Sequence, residues 1–69
     1  ASEKAKLVKL ADKICNLRDI LASPPAHWDV DRKLAYFQWA KEVVAGLRGV
    51  HPGLEAAFDD LEARRDEVR

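Results

Sequence analysis

Leu7, Leu10, Ile14, Leu17 and Leu21 recur at steps of three and four, the period of one face of an α-helix. At about 100° per residue these side chains form a single stripe. Asp12, Asn16 and Asp19 are spaced i, i+4, i+7 and share the opposite face, among Ala5, Val8 and Cys15. Lys6, Lys9, Lys13 and Arg18 sit on the flanks. The pattern predicts a helix over residues 2–21, started by Ser2 as N-cap and buried on two sides. One side is a plain core seam. The other carries a carboxylate and an amide in a small, apolar frame. A buried carboxylate needs a cation, a metal or strong hydrogen bonds. Such an Asp is either tied to a neighbouring backbone or basic group, or belongs to a functional site, where perturbed carboxylates gather.

Ala22-Ser23-Pro24-Pro25-Ala26-His27-Trp28 breaks the period. Two successive prolines forbid helix and hold the chain extended. Asp29 is the predicted N-cap of a second helix, residues 30–48. There Val30, Leu34, Phe37 and Val44 make one apolar row, and Tyr36, Ala40, Val43 and Leu47 an adjoining one. Trp39 is expected to widen the buried surface, and Gly49 suits the left-handed position after the helix. Pro52 opens a third predicted helix, residues 52–68. Its apolar face is narrow, Leu54, Ala57, Phe58 and Leu61. Glu55, Asp59, Asp60, Glu62, Arg64 and Arg65 read as solvated surface. The fold class is all-α, with three helices and no strand candidate. Helices two and three can cover only one face of the first, so something else is expected to cover the Asp12 face.

Sixty-nine residues allow one small domain, and a core of that size rarely supplies more than about 3–5 kcal/mol. The single cysteine, Cys15, cannot form an internal disulfide, and no Cys/His zinc spacing exists. A lone thiol without a signal peptide points to a reducing, cytoplasmic setting. The longest apolar stretch, Val43 to Leu47, is too short to span a bilayer. The formal charge is zero, which argues against DNA binding, since that needs a basic footprint. The charge is uneven, however: residues 1–18 carry net +3 and residues 54–69 net −3. The basic first helix suits a small polyphosphate as well as an acidic partner surface.

The run Lys6-Leu7-Val8-Lys9-Leu10-Ala11-Asp12-Lys13-Ile14-Cys15-Asn16-Leu17-Arg18-Asp19 closely resembles the last metal-site helix of HD-superfamily hydrolases of the RelA/SpoT type. Within that group it looks most like the small stand-alone alarmone hydrolases. The likeness continues through Pro25, Trp28, Arg32, Tyr36-Phe37, Trp39-Ala40, Val43-Val44, Gly46-Leu47 and Gly49 into Leu54. The resemblance implies the C-terminal portion of an HD-domain helical fold over residues 1–69. It also implies hydrolysis of the 3′-pyrophosphate of guanosine tetra- or pentaphosphate, the stringent-response alarmones. NADPH is a further substrate linked to the metazoan branch. The implied cofactor is one divalent metal, typically manganese.

Carried over position by position, Asp12 matches the final metal-ligating, catalytic Asp. Asn16 matches the Asn beside the nucleotide, and Asp19 takes a nearby position where the long bifunctional enzymes usually carry Thr. Trp28, Arg32 and Tyr36 match positions lining the nucleotide and phosphate pocket. Arg32 and Tyr36, i and i+4 on one helix face, can point together at a phosphate or ribose, and an Arg fork suits phosphate. The His and His-Asp ligands of the family are absent. Neither His27 nor His51 stands in a His-Asp pair. The remaining ligands are therefore expected upstream, and these 69 residues alone should be inactive. The alternative reading is a non-enzymatic three-helix interaction module whose Asp12 face binds a partner protein.

Overall fold

Ser2 begins the first helix by accepting a hydrogen bond from the Ala5 amide at 3.2 Å, which satisfies one of the donors a helix start leaves open. In the computed structural model, which describes residues 2–68, α1 then runs Glu3–Ala22. Ser23 closes it through its N–H to the Asp19 carbonyl at 2.7 Å, and Pro24-Pro25 prevent continuation. Asp29 caps α2, Val30–Ala45, by accepting from the Arg32 amide at 2.8 Å. His51 caps α3, Pro52–Ala63: its Nδ1 accepts from the Leu54 amide at 3.0 Å. A 3₁₀ turn, Arg65–Val68, follows.

Two helix ends differ from the periodicity. The second helix stops at Ala45 instead of 47 or 48, because Gly46 and Leu47 tighten onto the Val43 and Val44 carbonyls. Gly49 then takes φ +95°, a left-handed conformation that side chains with a Cβ disfavour. The third helix yields to the 3₁₀ turn, which swings Val68 back into the core. A continued α-helix would have carried that residue past it.

The core is one cluster. Leu10, Ile14, Leu17 and Ile20 of α1 meet Phe37, Ala40 and Val44 of α2, together with Leu47, Phe58 and Val68. Thus one stripe of α1 serves both other helices. The described part measures 35 × 19 × 18 Å. Its long axis is set by α1, whose 20 residues span about 30 Å at 1.5 Å per residue.

The acidic α3 surface is less free than its composition suggests. Glu55 Oε2 accepts from the Gly49 and His51 amides at 3.1 and 3.2 Å. Arg48 lies 3.6 Å from Glu55 and donates to Asp59. These bonds pin the α2–α3 turn. They also hold the Arg48 guanidinium above its ordinary pKa, chiefly through the hydrogen bond to Asp59. Among the described residues no helix is long and apolar enough to cross a membrane.

The expectation of a first helix buried on two sides is corrected. No polar or charged side chain is buried among the described residues, and the Asp12 side chain is 61% exposed. Asp12 points away from the stripe that α2 and α3 share, and nothing in the described chain crosses over it. Trp39 likewise does not join the core: it is 48% exposed, and Val8 is 62% exposed. Both lie beside Asp12.

Candidate functional site

Asp12 and Asn16 are one turn apart on α1, and Asn16 Nδ2 donates to Asp12 Oδ2 at 3.3 Å. The same nitrogen donates to Tyr36 Oη on α2 at 2.8 Å. Lys13 Nζ approaches Asp12 Oδ2 at 3.5 Å and stands 4.4 Å from the centroid of the Trp39 ring. Trp39 in turn lies 5.5 Å from Tyr36, tilted by 58°. Five side chains thus close a circuit between the two helices: Asp12, Asn16, Tyr36, Trp39 and Lys13. Among the described residues both side-chain contacts to Asp12 reach its Oδ2 atom, which leaves Oδ1 without a partner there.

The circuit separates two clefts. One, of about 220 Å³, is lined by Asn16, Asp19, Ile20, Pro25, Trp28 and Tyr36. The other, of about 360 Å³, is lined by Val8, Lys9, Asp12, Lys13, Trp39 and Val43. In the larger, Val8, Trp39 and Val43 form an apolar wall beside the charged Lys9, Asp12 and Lys13. The smaller offers hydroxyl, amide and carboxylate groups beside an indole. Ligand pockets usually enclose about 300–1,000 Å³, so a nucleotide seated there needs further walls.

The Pro25-Trp28 loop brings the indole to α2. The Trp28 amide bonds the Pro25 carbonyl at 3.1 Å, and the indole lies 5.9 Å from Tyr36 at 47°. The Arg32 guanidinium carbon stands 4.5 Å from the centroid of the Trp28 ring. Arg32 therefore covers one indole face and is itself held beside the cleft, since a guanidinium over an indole is attracted by the ring quadrupole.

The structure places Asn16, Asp19, Trp28 and Tyr36 around one cleft, with Arg32 on Trp28 and Asp12 joined through Asn16. Lys13 and Trp39 were not anticipated as part of this network. Lys13 reads as a solvated flank and Trp39 as core. The available signal was their spacing, Lys13 next to Asp12 and Trp39 one turn after Tyr36. His27 and His51 do not join the circuit. Among the described residues no group of three or more His, Cys, Asp and Glu side chains is placed to hold a metal ion. Asp12 alone offers one carboxylate, which does not make a metal centre.

No protein-family model matches the chain, and no solved structure matches it. Curated proteins do. It is 55% identical over 60 residues to the guanosine-3′,5′-bis(diphosphate) 3′-pyrophosphohydrolase MESH1 of Xenopus tropicalis, covering 87% of this chain and 34% of that protein. It is 46% identical over 65 residues to the protein of the same name from Drosophila melanogaster and 48% to that from Homo sapiens. Each of these two matches covers 94% of this chain and 36% of the relative. The chain spans about a third of the length of the curated relatives it matches, and over nearly all of its own length it is similar to proteins named as guanosine-3′,5′-bis(diphosphate) 3′-pyrophosphohydrolases.

Proposed function

We propose that this chain supplies the C-terminal part of a metal-dependent HD phosphohydrolase that removes the 3′-pyrophosphate from guanosine tetra- or pentaphosphate. The observation that carries the reading is the circuit joining Asp12, through Asn16, to the Tyr36–Trp28–Arg32 cluster. It sets a carboxylate, an amide, a phenol, an indole and a guanidinium along one α1–α2 edge, and the similarity to named pyrophosphohydrolases supplies the substrate class. In this reading Asp12 gives one anionic oxygen to a divalent cation, Mn²⁺ or another. The other ligands come from outside these residues. Asn16, Asp19, Trp28 and Tyr36 form one wall of the nucleotide pocket, and Arg32 contacts phosphate from the Trp28 face. NADPH is a second candidate substrate. The single exposed thiol of Cys15 fits a reducing, cytoplasmic setting.

The groove of Val8, Trp39 and Val43 supports a companion reading: further helices of the same protein cover it and complete the site. Two large apolar side chains exposed on one groove mark an interaction surface. A purely structural three-helix module that binds another protein through this face is the alternative.

The intact protein, with Mn²⁺ and guanosine tetraphosphate, tests the proposal. Release of pyrophosphate with formation of GDP is expected. Asp12→Asn keeps the shape and removes the anionic oxygen, so it should abolish most turnover. Because Asp12 is exposed in this chain, the same change should alter the stability of the 69 residues by no more than about 0.5 kcal/mol. Full activity in Asp12→Asn would refute the role of that carboxylate. Intact protein that hydrolyses neither nucleotide would favour the module.

A further inference from the structure

We infer that Tyr36 is a positioning residue for Asn16: its hydroxyl accepts one amide hydrogen, locks the amide onto Asp12, and keeps its own proton for a ligand oxygen. The inference rests on reading this edge as a ligand site and adds a direction to each hydrogen bond in it.

The directions follow from donor and acceptor chemistry. An ionised carboxylate carries no hydrogen, so the Asn16 atom 3.3 Å from Asp12 Oδ2 is the amide nitrogen. That nitrogen has two hydrogens, and Tyr36 Oη lies 2.8 Å away. One hydrogen goes to the carboxylate and the other to the phenol. Tyr36 is therefore the acceptor in this contact. Its own hydrogen has no acceptor among the described residues, and neither does the Asn16 carbonyl oxygen have a donor there. Both side chains line the smaller cleft.

The phenol is well placed for this task. Its ring sits between Trp28 at 5.9 Å and Trp39 at 5.5 Å, so packing sets the position of the hydroxyl before any ligand arrives. An amide on an open helix face would otherwise sample several rotamers. A supporting contact from a rigid neighbour is what holds a binding group in productive geometry.

Tyr36→Phe tests this, because it keeps the ring and deletes only the oxygen. On the ¹⁵N-labelled intact protein, the side-chain amide pair of Asn16 is assigned by its loss in Asn16→Ala. In Tyr36→Phe one of the two amide protons should move upfield, while the Trp28 and Trp39 indole signals stay in place. This readout needs no substrate, so it stands apart from whether the nucleotide assignment holds. In steady-state kinetics, Tyr36→Phe should lower kcat/KM about tenfold, the scale of one lost hydrogen bond, with part of the loss in kcat. The double variant with Asn16→Ala should lose clearly less than the product of the two single losses, because Tyr36 acts in part through Asn16. An unmoved Asn16 amide pair would overturn the inference. So would a double variant whose loss is the product of the two single losses, or a Tyr36→Phe effect confined to KM, the mark of a plain ligand contact.

Discussion

Lys13 stands with its ammonium 4.4 Å from the centroid of the Trp39 ring while 3.5 Å from the Asp12 carboxylate. Its side chain is only 14% exposed, against 61% for Asp12. A cation held over an indole gains about 0.5–1 kcal/mol at a surface site. The pair thus fixes a charge that a free lysine would leave mobile, and Lys13, Asp12 and Trp39 together tie the open groove to the candidate site.

Arg32 tests the indole support on the other side of the circuit. Its guanidinium rests on Trp28, an interaction an ammonium reproduces poorly and a methyl group not at all. On the proposed function, Arg32→Ala in the intact protein should chiefly raise KM for the nucleotide, by about tenfold for one lost charge-assisted contact. Arg32→Lys should recover only part of the loss. Steady-state kinetics with both variants measures this, and an unchanged KM in Arg32→Ala would remove Arg32 from the pocket.

The groove around Val8 and Trp39 predicts association of the 69-residue chain. With both side chains about half exposed or more, contact between copies buries apolar surface at about 25 cal/mol per Å². Sedimentation velocity should show a weight-average mass that rises with concentration. The double change Val8→Lys and Trp39→Gln should return the chain to monomer. A wild-type chain that stays monomeric at millimolar concentration contradicts the prediction.

Phe58 is fully buried where α3 meets α1. Phe58→Ala should cost about 3–5 kcal/mol, comparable with the whole stability available to a core of this size. Circular dichroism should show loss of cooperative melting. The exposed change Asp60→Ala should leave the melt nearly unchanged. A cooperative transition retained in Phe58→Ala would mean that α3 contributes little to the core.

The 3₁₀ turn carries a pH signature. Arg64 bonds Glu67 through Nε and Nη2 at 2.9 and 3.0 Å, and this hydrogen bond holds the Glu67 carboxyl below its ordinary value. A carboxyl depressed in the folded state adds stability above the unfolded carboxylate range and loses it as pH falls through the folded value. Wild type should therefore melt slightly above Glu67→Gln at pH 7, and the gap should close on acidification and at high salt. The pair is exposed, so the gap is small. A gap that persists unchanged at low pH argues that the ion pair is not its source.

Much of the architecture follows from the sequence alone. The leucine and isoleucine spacing specifies α1 and most of its buried stripe, Leu10, Ile14 and Leu17, while the structure buries Ile20 and leaves Leu7 and Leu21 half-buried. Ser2 and Asp29 at N-cap positions, Pro52 at the first turn of α3 and the Pro24-Pro25 stop place the helix starts and the end of α1, because capping and proline chemistry act within a few residues. Spacing along the chain singles out Asp12, Asn16 and Asp19, and family resemblance adds Trp28, Arg32 and Tyr36, whereas Lys13 and Trp39 are singled out as site residues by neither.

Other features needed the tertiary structure. Periodicity says that Asp12 lies off the core stripe, but not what covers it, so it could not reveal that the carboxylate is open in this chain. Trp39 is as apolar as any core residue, and only the packing angle between α1 and α2 turns it toward the groove. The Asn16–Tyr36 bond joins residues twenty positions apart. The sequence can choose the two side chains and the helices that carry them. Their meeting depends on the register in which α2 settles against α1, which the shared core of Leu10, Leu17, Phe37 and Val44 decides. Close-packed side chains admit few such registers, and no local rule along the chain selects among them.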